Sequence, residues 1–270
     1  MSQPAVAALA PLPFELVYND GEPLETDWHT IQFPFLRDLF RQAMAERGRT
    51  DFYAGGNMFV YYSRQQAADV AKGKPYFRGP DVFWVGGVDP RPHRKCWVAW
   101  EEGERLPDVI VELLSPSTAE IDRTVKRDLY ARVFRTAEYY MYEPETRAWE
   151  GLELAGLAYR SMVPDARGRF WSGQLGVSLG LWHGVVSGRE DDWIRLFRAD
   201  GSLVPTEAEA AEQWAEEERQ RAAAAEQWAE AERQRAAAAE QRAEADRQRA
   251  EAAEAELARL RALLGERSQA

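Results

Sequence analysis

GPDVFWV (residues 79–85), LPDVIVELLSPST (106–118) and EIDRTVKRDLY (120–130) are the stretches whose reading decides the fold. After its opening acid, the first is apolar on both faces, as an interior strand would be. Residues 109–114 form the most continuously apolar segment of the chain and are expected at the sheet centre. Ser117 followed by Glu120 has the capping-box pattern, so a helix is expected to start there. Its spacing makes Ile121, Val125, Leu129 and Val133 the core-facing side, with Lys126 at the margin. EYYMYEP (138–144) reads as a returning strand. Strand, helix and strand joined by so long a connection favour a parallel crossover. The expected class is therefore α/β, a mixed central β-sheet flanked by helices.

Upstream, residues 1–13 are expected to be a mobile leader interrupted by Pro4, Pro11 and Pro13. Phe14, Leu16 and Tyr18 alternate with Glu15, Val17 and Asn19 as an edge strand or hairpin arm ending at Asp20-Gly21. From Asp27 the apolar positions Trp28, Ile31, Phe35, Leu36, Leu39, Phe40 and Met44 have helical spacing, with Thr26 or Asp27 as N-cap. Pro34 inside that run predicts a kink or a late start. A Gly-Gly-Asn turn at residues 55–57, a strand over 58–62, a polar loop with Lys72, Lys74 and Arg78, and a strand over 96–102 complete the upstream reading. Beyond residue 144, short strands are expected at 148–154, 158–162, 170–171, 177–182 and 193–197. Residues 14–205 then make one domain with a β-rich C-terminal extension.

At Thr206 the composition turns to Ala, Glu, Gln and Arg. AEQWAEEERQRAAA, AEQWAEAERQRAAA and AEQRAEADRQRAEA repeat with a period of two heptads, so residues 206–270 are expected to form a long helical tail. Alanines at 215, 222, 229, 236, 243 and 250, then Leu257 and Leu264, recur every seventh residue. A coiled-coil homodimer is one reading of this tail and a solitary solvated helix the other, because Ala and Glu at seam positions bury little. Trp214 and Trp228, at matching repeat positions, are expected to cover the seam.

The chain has 270 residues, 45% of them hydrophobic and ten of them Trp, ample for a packed core. A single cysteine, Cys96, excludes an internal disulfide framework and a cysteine zinc site and fits a cytoplasmic location. No stretch approaches the roughly 20 apolar residues of a membrane-spanning helix, so no membrane partner is expected. The formal charge of -11 weighs against nucleic acid, whose phosphates are held chiefly by Lys and Arg. A local basic groove can nevertheless coexist with an acidic total, and carboxylate metal ligands are themselves acidic.

Two acids stand out. Asp81 opens one strand, and Glu112 sits between Val111 and Leu113 in another, where an unpaired carboxylate is costly. If the strands are neighbours, both can hold one hard cation, Mg2+ or Mn2+, which prefers oxygen ligands. Such an ion neutralises developing charge and activates water in phosphodiester hydrolysis. Glu22 and Glu25 precede the first helix and offer a further ligand, Glu22 being the choice, although a helix N-terminus also attracts Glu through its dipole. His29, four residues after Glu25, could face the site from the first helix, although a lone helical histidine is more often a surface or satisfied core residue. Arg91, Arg94, Lys95, Arg123 and Arg127 could meet phosphates, though solvated charge is their commoner use.

PDV at 80–82, ELLSPST at 112–118 and the helical Lys126 resemble the restriction-endonuclease-like PD-(D/E)XK superfamily, and within it the Uma-two family of endonucleases. The similarity spans roughly residues 14–144, including DGE at 20–22 and EYYMYEPE at 138–145. It implies a core of helix, three strands, helix and strand, DNA as substrate, and Asp81 and Glu112 as metal ligands with the Leu113 carbonyl completing the shell. The superfamily lysine belongs two residues after the second acid, where this chain has Leu114. The resemblance implies that Lys126 takes over that role as the third catalytic residue, orienting water or stabilising the transition state. The bland alternative for Lys126 is an exposed i, i+4 pair with Asp122, worth about 0.2–0.5 kcal/mol. For the whole chain, the alternative is an oligomeric assembly or DNA-binding protein with a degenerate nuclease core, dimeric through the core or the tail.

Overall fold

The computed structural model describes residues 12–15, 26–74, 79–90 and 93–267. The expected strand at 14–19 and the acids Glu22 and Glu25 lie wholly or mostly outside them. The chain divides into two compact units, Met1–Ala208 and Glu209–Ala270.

The first unit is built on a six-stranded mixed sheet in the order β1-β3-β5-β6-β7-β8. These strands are β1 (Phe52–Gly55), β3 (Val82–Gly86), β5 (Val109–Leu113), β6 (Glu138–Glu143), β7 (Ala148–Ala155) and β8 (Ala158–Ser161). β5 lies in the interior, antiparallel to β3 and parallel to β6, so the expected crossover is present. Every residue of β3 and β5 is buried, which accounts for their unbroken apolar runs. Because successive side chains point to opposite faces, Val109, Val111 and Leu113 pack into one core and Ile110 into the other. Glu112 is thereby sent to the same face as Ile110.

Helix α1 (Asp27–Glu46) covers the Val109 face. Thr26 is its N-cap, with its hydroxyl accepting from the His29 N–H. The helix runs through Pro34 without the expected late start. Gln32, fully buried, is satisfied by donating to and accepting from the Ile194 backbone. Ile194 belongs to a second sheet, order β11-β10-β9, of β9 (Phe170–Ser172), β10 (Val177–Val186) and β11 (Arg189–Phe197). Trp28 of α1 stacks on Trp193 of β11 at 5.8 Å between ring centroids.

Three local readings are corrected. Residues 52–55 form strand β1 at the sheet edge, with residues 58–62 reduced to β2 (Val60–Tyr61) in a separate parallel pair with β4 (Trp97–Val98). Aromatic pairing of Phe52 with Trp84 and Tyr53 with Phe83 across β1 and β3 outweighs the turn signal of the glycines that follow. After β4 the chain turns into a single 3-10 turn, Ala99–Glu101, instead of continuing as strand. The polar loop contains α2 (Arg64–Ala71), whose Ser63 N-cap accepts from the Gln66 N–H; only its Gln66, Ala67 and Asp69 are buried, too little apolar periodicity to see in sequence.

The other face of the sheet is covered by the site helix, residues 119–134, which alternates α turns at Ala119–Ile121 and Arg127–Leu129 with π turns at Asp122–Lys126 and Tyr130–Phe134. The expected capping box is not formed: Thr118 is the N-cap, without a side-chain bond, and the Ser115, Ser117 and Thr118 hydroxyls bond among themselves. The expected inward face is also wrong. Ile121, Val125 and Val133 are 41%, 48% and 44% exposed, whereas Asp122, Tyr130 and Phe134 are buried. The wider π turns bond i to i+5, which keeps residues four apart in line and changes the phase that a regular α-helix would give. Arg135, in the left-handed region at φ 59°, ends the helix.

The second unit is the remainder of one 61-residue helix, Glu207–Arg267. Its repeats carry matching polar contacts: Glu216, Glu230 and Glu244 each take an arginine three residues on and a glutamine four residues on. Trp214 and Trp228 are 65% and 68% exposed, so within one chain they cover no seam. Among the described residues no helix is long and apolar enough to cross a membrane.

Candidate active site

The site forms where β3 begins and β5 ends. Antiparallel pairing of Val82 with Val111 and Phe83 with Ile110 places Asp81 opposite Glu112 one step further along. The two are joined directly, since the Asp81 N–H donates to Glu112 Oε2 at 3.3 Å and Asp81 Oδ2 accepts from the Leu113 N–H at 2.7 Å. Asp81 is also seated from behind. Its carbonyl accepts from the Asn57 N–H at 3.0 Å, and any Cβ at Gly56 would fall 1.9 Å from that carbonyl oxygen. Only glycine at 56 allows the two backbones to approach this closely.

Glu112 is fully buried. The Tyr130 hydroxyl donates to Glu112 Oε1 at 2.8 Å, and Lys126 Nζ lies 3.2 Å from the same atom. Lys126 Nζ is also 2.7 Å from Asp122 Oδ1. Asp122, Lys126 and Tyr130 thus stand at i, i+4 and i+8 on the inward stripe of the site helix. The bland reading of Lys126 is half right: the Asp122 pair exists, but it is buried and shared with Glu112.

Three acids around one ammonium set the electrostatics. Burial raises the pKa of Glu112 well above the ordinary carboxylate range; Lys126 opposes the shift, and Asp81 and Asp122 add to it. Asp122 is raised in the same way, burial outweighing its lysine partner. Burial alone would lower the Lys126 pKa, but Glu112, Asp122 and Asp81 together overcome that and raise it. The lysine is held charged.

The Leu113 carbonyl meets α1. His29 Nε2 donates to it at 3.0 Å, and His29 Nδ1 is 2.6 Å from Thr26 Oγ1. A carbonyl can only accept, so Nε2 carries the proton and, in the neutral ring, Nδ1 accepts from the threonine. His29 thereby touches the site from the first helix, on the opposite face of the sheet, the less common of the two readings of a lone helical histidine. Tyr130 was hidden, its one sequence signal being the four-residue spacing from Lys126, and Asp122 was expected only as an exposed partner of that lysine.

Asp81, Glu112 and the Leu113 carbonyl supply only oxygen, the donor type that suits a hard cation. Asp122 Oδ1, buried and paired with Lys126 Nζ at 2.7 Å, is a further electron-rich atom at the site. Among the described residues, no three His, Cys, Asp or Glu side chains are grouped to hold a metal ion. The donor set that fits is two carboxylates and a backbone carbonyl, and the carbonyl keeps one lone pair beyond its bond to His29. Glu22 lies outside the described residues. Of the basic candidates, Arg94 is paired with Glu102 at 2.8 Å, and Arg123 with Glu143 and Glu150 at 3.2 and 3.1 Å. Arg91 lies outside the described residues.

Residues 11–187, more than half of the chain, match the Uma2 family, described as "Putative restriction endonuclease". The chain belongs to that family. Uma2 membership supports a nuclease-like function, the class to which the acids and lysine of this site are suited. No curated protein matches the chain. One solved structure similar to it is that of a "putative nuclease belonging to DUF820" from Anabaena variabilis ATCC 29413, 12% identical over 53% of this chain and 72% of the other, with a TM-score of 0.36. A likeness so distant bears no weight for this chain.

Proposed function

We propose that this Uma2 protein is a metal-dependent DNA endonuclease that hydrolyses phosphodiester bonds with Asp81, Glu112 and Lys126. The observation that carries the reading is the position of Lys126 Nζ, 3.2 Å from the buried Glu112 carboxylate although the lysine comes from a different element than the superfamily pattern expects. Asp81 and Glu112, with the Leu113 carbonyl, would hold Mg2+ or Mn2+; Glu22 is a further candidate ligand. When bound, the ion supplies Lewis acidity and a water of lowered pKa. Asp81 is fixed for that purpose by the Leu113 N–H, and Glu112 by the Tyr130 hydroxyl. Lys126 brings a positive charge to where negative charge develops on the phosphate, a stabilisation that is strong in a site shielded from water.

Rapid hydrolysis of a phosphodiester needs both charge neutralisation and an activated water, so loss of any of the three side chains is expected to abolish cleavage. Incubating purified protein with supercoiled, linear and single-stranded DNA in Mg2+ or Mn2+ tests this, alongside Asp81→Ala and Lys126→Ala. Cleavage by wild type and none by either variant is the expected result; variants as active as wild type would overturn the assignment. A non-cleaving assembly protein is the second reading, favoured by one observation, the 61-residue repeat helix with exposed Trp214 and Trp228. The homodimer we propose through that helix is compatible with either reading.

A further inference from the structure

We infer that Asp122 is a positioning residue that fixes the Lys126 ammonium over Glu112, an assignment that rests on the nuclease reading above. Asp122 is only 1% exposed, and its Oδ1 stands closer to Lys126 Nζ than Glu112 does, 2.7 against 3.2 Å. A surface i, i+4 pair gives a helix about 0.2–0.5 kcal/mol, too little to explain a carboxylate taken wholly out of water. The lysine explains it. Lys carries about 2 kcal/mol of rotamer entropy on a flexible stem, and its side chain here keeps 13% exposure, enough of an exit for the ammonium to leave Glu112 for solvent. A second carboxylate, 2.7 Å from the same Nζ, holds the ammonium against that exit.

The helix is shaped around this arrangement. The π turn begins at Asp122 and ends at Lys126, and the Tyr139 hydroxyl pins it by donating to the Asp122 carbonyl at 3.0 Å. In a regular α-helix, four residues advance about 400°, so the stripe from Asp122 to Tyr130 would drift round the axis. Alternating π and α turns hold Asp122, Lys126 and Tyr130 on one line, and two of the three touch Glu112.

The test is Asp122→Asn, which keeps the shape and removes the charge, made in the full chain and checked for folding by its thermal melt. Partners that orient a functional group without touching the reacting atoms cost about 10- to 100-fold when lost. We expect kcat on plasmid DNA to fall by that factor with KM unchanged, and Mn2+ affinity, read by the paramagnetic signal of the free ion, to stay as in wild type. An equal kcat in wild type and variant would overturn the inference. So would a matching loss of Mn2+ affinity, which would make Asp122 a metal ligand. A readout independent of cleavage is acylation of Lys126 by an amine-reactive ester, followed by peptide mass mapping. Several-fold faster labelling of Lys126 in Asp122→Asn, with Lys72 and Lys74 unchanged, is expected; equal rates contradict positioning even if the wild type cleaves nothing, an outcome that would separately sink the nuclease reading. If Asp122→Asn does not fold, Asp122→Glu serves: its longer reach shifts the ammonium by one methylene and is expected to lower kcat, and an undiminished kcat overturns the inference.

Discussion

Lys126 Nζ has two carboxylates within 3.2 Å and a third acid close enough to act on its pKa, and its charge is the largest influence opposing the effect of burial on Glu112. The buried acid also accepts two hydrogen bonds, from the Tyr130 hydroxyl at 2.8 Å and from the Asp81 N–H at 3.3 Å. Tyr130→Phe removes that donor and leaves a fully buried carboxylate one partner short. A hydrogen bond to a charged group contributes about 1.5–3 kcal/mol, so chemical denaturation of Tyr130→Phe is expected to show a loss of that size. A variant as stable as wild type would mean that Tyr130 does not support Glu112. At this scale the sequence was informative about the acids and Lys126, and gave little sign of Tyr130. Asp81 and Glu112 stood out because one opens an apolar strand and the other interrupts one, whereas His29, Asp122 and Tyr130 have ordinary helical surroundings and gain meaning only once β5 lies between two helices.

Among elements, β3 and β5 were the most legible, since strands buried on both faces leave unbroken apolar runs. Their antiparallel register is what sets Asp81 against Glu112, and register cannot be read from either strand alone. The site helix was legible as a helix and misread in phase. Its exposed Ile121, Val125 and Val133 have the spacing of a core stripe, and nothing in residues 119–134 announces π turns. Strand β1 was hidden behind the Gly-Gly-Asn signal, because its stability comes from β3 and not from its own four residues. The tail was plain from its two-heptad period. Its i, i+3 pairs are exposed and contribute little each, about 0.3–0.5 kcal/mol, so they do not argue for pairing. Exposed Trp214 and Trp228, at matching repeat positions, are what a partner helix could cover. Sedimentation is expected to give a dimer for the full chain and a monomer for a chain ending at Pro205, and an unchanged state of association on truncation would refute the coiled coil.

Across the whole first unit, the two sheets are tied by a second buried acid. Glu138, at the start of β6, accepts from Tyr140, from the Ser172 hydroxyl at the end of β9 and from the Gln174 N–H. Burial raises its pKa, and the three hydrogen bonds only partly offset this. A carboxylate whose folded value is raised contributes stability fully below its unfolded value, about 4.3, and loses it as pH rises through the folded value. Glu138→Gln cannot titrate. The stability advantage of wild type over that variant is therefore expected to narrow as pH rises above about 4 in urea titrations, and a constant or widening gap would contradict the assignment. The same expense is accepted at Glu112, where it has no second sheet to join and the carboxylate faces Asp81 and Lys126 instead. That contrast is the physical core of the nuclease reading, and one comparison tests it most directly: the rate at which wild type and Glu112→Gln nick supercoiled DNA in Mn2+. Nicking by wild type and none by Glu112→Gln is the predicted result, and equal behaviour of the two proteins would contradict it.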